Sequence, residues 1–191
     1  MILPPTSATY TAARGTLGKN TETLRAMLAN CAEVQTLFGA ANATESLLRI
    51  FLGCLPQPVA NKETYSREEL ELYRPMILIG PSPELSIQSN HETFGGSWTH
   101  GRQGISDILI ERNHPTTGRD DVNDIAWWDV VDMIRQSHDN DSPGLIELHE
   151  LPGNLSIRQV EILDIYRGAE EDIHEKGDYQ RALMRVHWGR V

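Results

Sequence analysis

Tyr179-Gln180-Arg181-Ala182-Leu183-Met184-Arg185-Val186-His187-Trp188-Gly189 alternates as a β-strand does. Successive side chains of a strand point to opposite faces. Ala182, Met184, Val186 and Trp188 therefore share one face and Arg181, Arg185 and His187 the other, with Leu183 the exception. Upstream, residues 155–166 read as a second long strand, whose apolar positions change phase between Ile157 and Val160. A β-bulge there would account for the shift. The connection, Gly168 to Asp178, holds Glu170, Glu171, Asp172 and Glu175 and is longer than a tight hairpin needs. A chain that closes on such a hairpin uses it to complete a sheet.

Working back, Asp120, Asp121 and Asp124 open the clearest helix, extending to about His138. Acids suit the positive end of a helix dipole. Val122, Ile125, Trp128, Val131 and Ile134 recur at helical spacing and mark its core stripe. Trp127, Val130 and Met133 broaden that stripe, and Trp127, at its edge, is either core or a subunit contact. Earlier still, residues 85–91 and 104–111 pair as strands, and the wholly apolar Met76-Ile77-Leu78-Ile79 reads as the most central strand. Ser66-Arg67-Glu68-Glu69 is a capping box that starts a helix ending at Tyr73.

Near the start, a helix from Asn20 or Thr21 carries Leu24, Met27, Leu28 and Cys31 on one stripe. It continues through Val34, Leu37 and Phe38 after a break at Cys31 to Glu33, and stops at Gly39. Thr44 caps a further helix to Arg49, and part of Leu47 to Leu55 is apolar enough for a buried strand. Residues 1–20, with Pro4-Pro5, read as an N-terminal arm, and residues 21–191 as one domain. The fold class is α+β: a mainly four-stranded antiparallel sheet with helices packed on it, ending in the C-terminal hairpin.

The 191 residues suffice for a sizeable core, and the net charge of −10 opposes a grip on phosphate backbones. Negative charge does let DNA pass without sticking. Cys31 and Cys54 lie in apolar stretches and read as two small buried hydrophobes in a reducing compartment. The short, Pro-rich start is no signal peptide, and no apolar run is long enough to cross a membrane.

No motif for chemistry is complete. Asp139 to Glu150 has the Asp, Asp, Gly and Glu of a calcium loop, but Pro143 removes one ligand and Pro152 forecloses the exit helix. The seven histidines form no zinc spacing. Asp107 and Glu111 share a strand face, as in some metal-dependent hydrolases, without a third acid or lysine to complete a site. Neither catalytic residues, nor a cofactor, nor a metal site is expected.

The order of these features resembles the tail terminator, or neck, proteins of tailed bacteriophages. N-terminal helices lead through Leu55-Pro56 to Arg74-Pro75-Met76-Ile77-Leu78-Ile79. A strand pair, an amphipathic helix and two long strands follow, and the last ends in Val186-His187-Trp188-Gly189. The resemblance covers most of residues 21–190, with no counterpart for Phe94 to Gly101. It implies a non-enzymatic virion protein, assembled in host cytoplasm. Its subunits form a homohexameric ring that ends polymerisation of the tail tube. The implied partners are other copies, the tail tube protein, the head connector or stopper protein, and DNA in transit; no membrane is involved. On this reading Trp127, Glu170, Glu171, Asp172, Arg181, Arg185 and His187 face a neighbouring subunit or the channel. A head-completion stopper and, further off, a metal-dependent hydrolase are the alternatives.

Overall fold

The computed structural model describes residues 16–53, 55, 66–83, 88–94, 97–135, 155–168 and 179–190. Among these, five helices and six strands follow in order: α1 (Thr16–Asn30), α2 (Ala32–Phe38), α3 (Ala43–Leu47), β1 (Ile50–Leu52), α4 (Arg67–Tyr73), β2 (Met76–Pro81), β3 (Gln88–Phe94), β4 (Ser97–Asn113), α5 (Asp120–Arg135), β5 (Leu155–Gly168) and β6 (Tyr179–Arg190). The α+β class holds, with the C-terminal hairpin as the far side of the sheet. The strands run β1-β2-β4-β6-β5, with β3 also on β4. Only the β1–β2 pairing is parallel. The sheet has six strands: β2, β4, β6 and β5 run side by side, β1 adds at the β2 edge and β3 pairs with the N-terminal half of β4.

Strand β4, not β2, holds the middle. Its C-terminal half pairs with β2 on one side and β6 on the other, while its N-terminal half pairs with β3. The two apolar faces of β2 reflect cover by helices on both sides of the sheet. Ile77 and Ile79 join the main core with Ile50, Ile108, Ile110, Ala182, Met184, Val186 and Trp188, under α1, α2 and α5. Met76 and Leu78 face the other way, packing with Phe51, Leu70 and Tyr73 beneath α4. The alternation of β6 is realised as expected: Ala182, Met184, Val186 and Trp188 are all buried. The register of β5 on β6 slips between Ile157 and Gln159, where the phase change was read, and again between Ile162 and Asp164. The second slip explains how Ile162 and Ile165, three residues apart, both pack on the core face, with Leu163 exposed between them.

Most helix ends follow their chemistry. The stripe Leu24, Met27, Leu28, Cys31 is buried, α1 breaks from α2 at Cys31, and Gly39 ends α2 in the left-handed conformation at φ 62°. In that conformation a side chain would be strained. Helix α1 starts at Thr16, so its first turn takes in residues assigned to the arm; Asn20 and Thr21 are buried within it rather than capping it. The cap of α3 is Asn42, not Thr44: its side chain accepts from the Glu45 N–H, and the helix ends at Leu47 to let β1 begin. Residues 59–65, read as a loop, lie outside the described residues. Ser66 forms the reciprocal box with Glu69 that its spacing predicts. Replacing Ser66 with Ala removes the acceptor for the Glu69 N–H and should cost about 1 kcal/mol, read as a lower urea midpoint at unchanged slope.

Candidate assembly surfaces

The sheet face turned away from α1 and α5 carries the residues singled out on the last strand. Glu111 stands opposite Arg181, Asp107 opposite Arg185, and Ile105 opposite His187. Between the charged rows, Leu109 meets Leu183 on one side and Leu78 on the other. Arg181, Arg185 and His187 do share one face, and each meets an acid of its own chain. The Arg185 guanidinium donates to both oxygens of Asp107, at 2.9 and 3.3 Å. His187 Nε2 lies 3.6 Å from Glu161 Oε1, an ion pair when the imidazole is protonated.

Glu111 is the most deeply held of these groups, with its side chain 2% exposed. Arg74 Nε donates to its Oε2 at 3.1 Å, and Arg181 donates to Oε1. Both guanidinium groups lie over the Tyr179 ring, 4.1 and 5.2 Å from its centre. Arg74 comes from the turn after α4, so this cluster also ties that helix to the sheet. The arrangement is tight and internally neutralised. The arginines are engaged by carboxylates and offer no phosphate grip, and Asp107 and Glu111 already face guanidinium groups where a metal would need them. Among the described residues no group of three or more His, Cys, Asp or Glu converges.

Helix α5 presents a second surface, and here the expected stripe holds only in its second half: Val131 and Ile134 are buried, whereas Val122, Ile125 and Trp128 are exposed. Trp127 is in the core, 1% exposed, beside Val131 and Ile134. The Arg112 guanidinium covers its ring at 4.8 Å and is fixed by Gln180 Oε1 at 2.7 Å. Burial lowers the Arg112 pKa, against the carboxylate of Asp124, which favours its charge. Trp128 is instead 52% exposed, as are Ile125 (52%) and Val122 (55%), so these three line the outer side of the helix. Both 122-125-128 and 127-131-134 satisfy helical spacing, so the apolar pattern alone does not choose between them. The signal lay in the acids. Asp129 and Asp132 sit one turn beyond Ile125 and Trp128, marking that side as the solvent face. Trp127 therefore belongs to the core, not to the surface, and Trp128 is the exposed tryptophan of the pair.

Between α2 and α5, at the end of β4, lies a groove of about 550 Å³ whose apolar lining includes Leu37, Pro75, Val130 and Met133, with Glu33 and Arg112 among its polar groups. Cys31, at the α1–α2 break, is buried, and its thiol donates to Glu33 Oε2 at 3.0 Å. Burial, reinforced by that bond and the Glu33 charge, pushes its pKa up to about 12. The thiolate is the reactive form, so at pH 8 the folded protein should resist iodoacetamide at Cys31 and react there only once unfolded, as peptide mapping would show. Cys54, Glu170, Glu171, Asp172 and the stretch Asp139–Glu150 lie outside the described residues.

No protein-family model and no curated protein matches this chain. Among solved structures, it overlaps a chain of the "Virion of native gene transfer agent (GTA) particle", with 14% sequence identity and a TM-score of 0.43, over 90% of this chain and 92% of that one. An overlap of that degree is too low to assign a shared function.

Proposed function

We propose that this chain is a structural subunit of a phage-like virion: a tail terminator that closes into a ring, hexameric by the family pattern, at the head-proximal end of the tail tube. The observation that carries the reading is the outer ridge of α5. Val122, Ile125 and Trp128 expose more than half of their surfaces on a helix whose other side is already packed. Contiguous apolar and aromatic surface of this kind suits a protein interface. A ring forms when such a surface meets a different surface of the next copy and the rotation closes. The order of sequence features, from the N-terminal helices to Val186-His187-Trp188-Gly189, supports the same reading.

In this role the sheet works as a stiff plate. Cross-strand pairs Asp107–Arg185 and Glu111–Arg181 hold β4 to β6. The Arg181-Arg185-His187 face would turn to a neighbour or to the channel, and Glu170, Glu171 and Asp172 would add negative charge along the path of the DNA. The tail tube protein and the head connector would meet the two ends of the ring. Trp128→Asp tests the ridge directly, because an exposed residue can be charged without disturbing the core. Light scattering should show the ring mass falling to that of a monomer, with an unchanged far-ultraviolet spectrum; an intact ring in the variant would remove the ridge from the interface.

A further inference from the structure

We infer that the groove between α2 and α5 docks an acidic, apolar segment of a partner protein, with Arg112 receiving the segment's carboxylate. Arg112 differs from the arginines of the sheet face. Arg74, Arg181 and Arg185 each meet a carboxylate. Arg112 makes no ion pair with a described residue. Its Nε donates to Gln180 Oε1 at 2.7 Å, its Nη2 donates to the Asn123 carbonyl at 3.3 Å, and its guanidinium carbon lies 4.8 Å from the centre of the Trp127 ring. These contacts fix the group and leave Nη1 with no hydrogen-bond partner among the described residues. A guanidinium held in advance loses little freedom on binding a carboxylate, and the charge-assisted bonds it makes are stronger than neutral ones.

Burial already disfavours the Arg112 charge. Asp124 counters this from α5, but its Oδ1 accepts from Gln180 Nε2 at 2.7 Å. A carboxylate entering the groove would therefore meet donors that the fold does not use. The groove itself, at about 550 Å³, falls within the roughly 300–1,000 Å³ of ligand-binding clefts. Leu37, Pro75, Val130 and Met133 give it apolar walls, and Met133 is 38% exposed. Glu33 also lines it, from α2, with Oε2 accepting the Cys31 thiol at 3.0 Å. Arg112 stands across from it on β4, so an acidic group is drawn to the β4 wall and turned away from the α2 wall. This inference does not depend on the ring.

Capped tripeptides test it by nuclear magnetic resonance on the full chain. Acetyl-Leu-Glu-Leu-amide should shift the Arg112 Nε–H signal and the amides of Thr36, Val130 and Met133. Acetyl-Leu-Gln-Leu-amide has nearly the same shape without the charge and should bind at least about tenfold more weakly. Arg112→Gln should bring the two peptides to equal affinity. Met133→Glu, at an exposed position, keeps the core intact and should weaken the acidic peptide more than the neutral one. Equal binding of both peptides to the parent, or no shift at the groove with millimolar peptide, would overturn the assignment. Groove signals that move with protein concentration alone would give the groove to a second copy and overturn a separate partner.

Discussion

Replacing Gly104 with Val should lower stability by about 3 kcal/mol, a fall in melting temperature of roughly 6–12 °C for a chain of this size. Gly104 on β4 stands opposite Trp188 on β6. A Cβ added there would come 2.3 Å from Trp188 Cζ2 and 2.5 Å from Cη2, well inside the normal contact of about 3.5–4.0 Å. The indole has little freedom to yield. It is 1% exposed within the main core, and its Nε1 donates to Ser106 Oγ at 3.0 Å. Relief would have to come from the strands separating or the ring leaving its place. A double-mutant cycle isolates the clash: Gly104→Ala in a Trp188→Leu background should cost at least about 1 kcal/mol less than in the parent. Additive effects would mean that the ring is not what the glycine makes room for.

Replacing Glu111 with Leu should be as damaging, by about 3–5 kcal/mol. Glu111 receives Arg74 and Arg181 on its two oxygens while almost fully buried. Without the carboxylate, the Arg74 guanidinium, with its side chain 1% exposed, keeps its desolvation cost and loses the opposing charge. Adding Arg74→Met to Glu111→Leu should therefore recover a large part of the loss, because the buried guanidinium is then removed together with the carboxylate that faced it. Salt should change the parent's stability little through this pair, since buried charges are weakly screened. A double variant no more stable than Glu111→Leu alone would show that Arg74 is not held by this carboxylate.

Much of this fold could be read from local rules. The alternation of β6, the bulge after Ile157, the box at Ser66, the break at Cys31 and the stop at Gly39 each depend on residues near one another in sequence, and each appears in the structure. Local rules fail where the deciding partner is distant in sequence. Met76 to Ile79 looks central from its own composition, yet centrality depends on which strands pair, and β4 is long enough to hold β2, β3 and β6 together. On α5 two apolar stripes compete, and the side is marked only by Asp129 and Asp132 one turn beyond Ile125 and Trp128; packing by Arg112 and the sheet holds Trp127 inside. The surface of the last strand was legible as a face, since Arg181, Arg185 and His187 do lie together. Their acid partners on β4 and β5 depend on strand register and were not.

The proposed role rests on the outer ridge of α5, where Val122, Ile125 and Trp128 are exposed. Electron images of the purified protein, alone and mixed with tail tubes, test the central claim most directly. The account predicts closed rings with six-fold symmetry, seen free or capping one end of each tube and stopping its growth. A protein that stays monomeric in both conditions while the tubes continue to lengthen would contradict it.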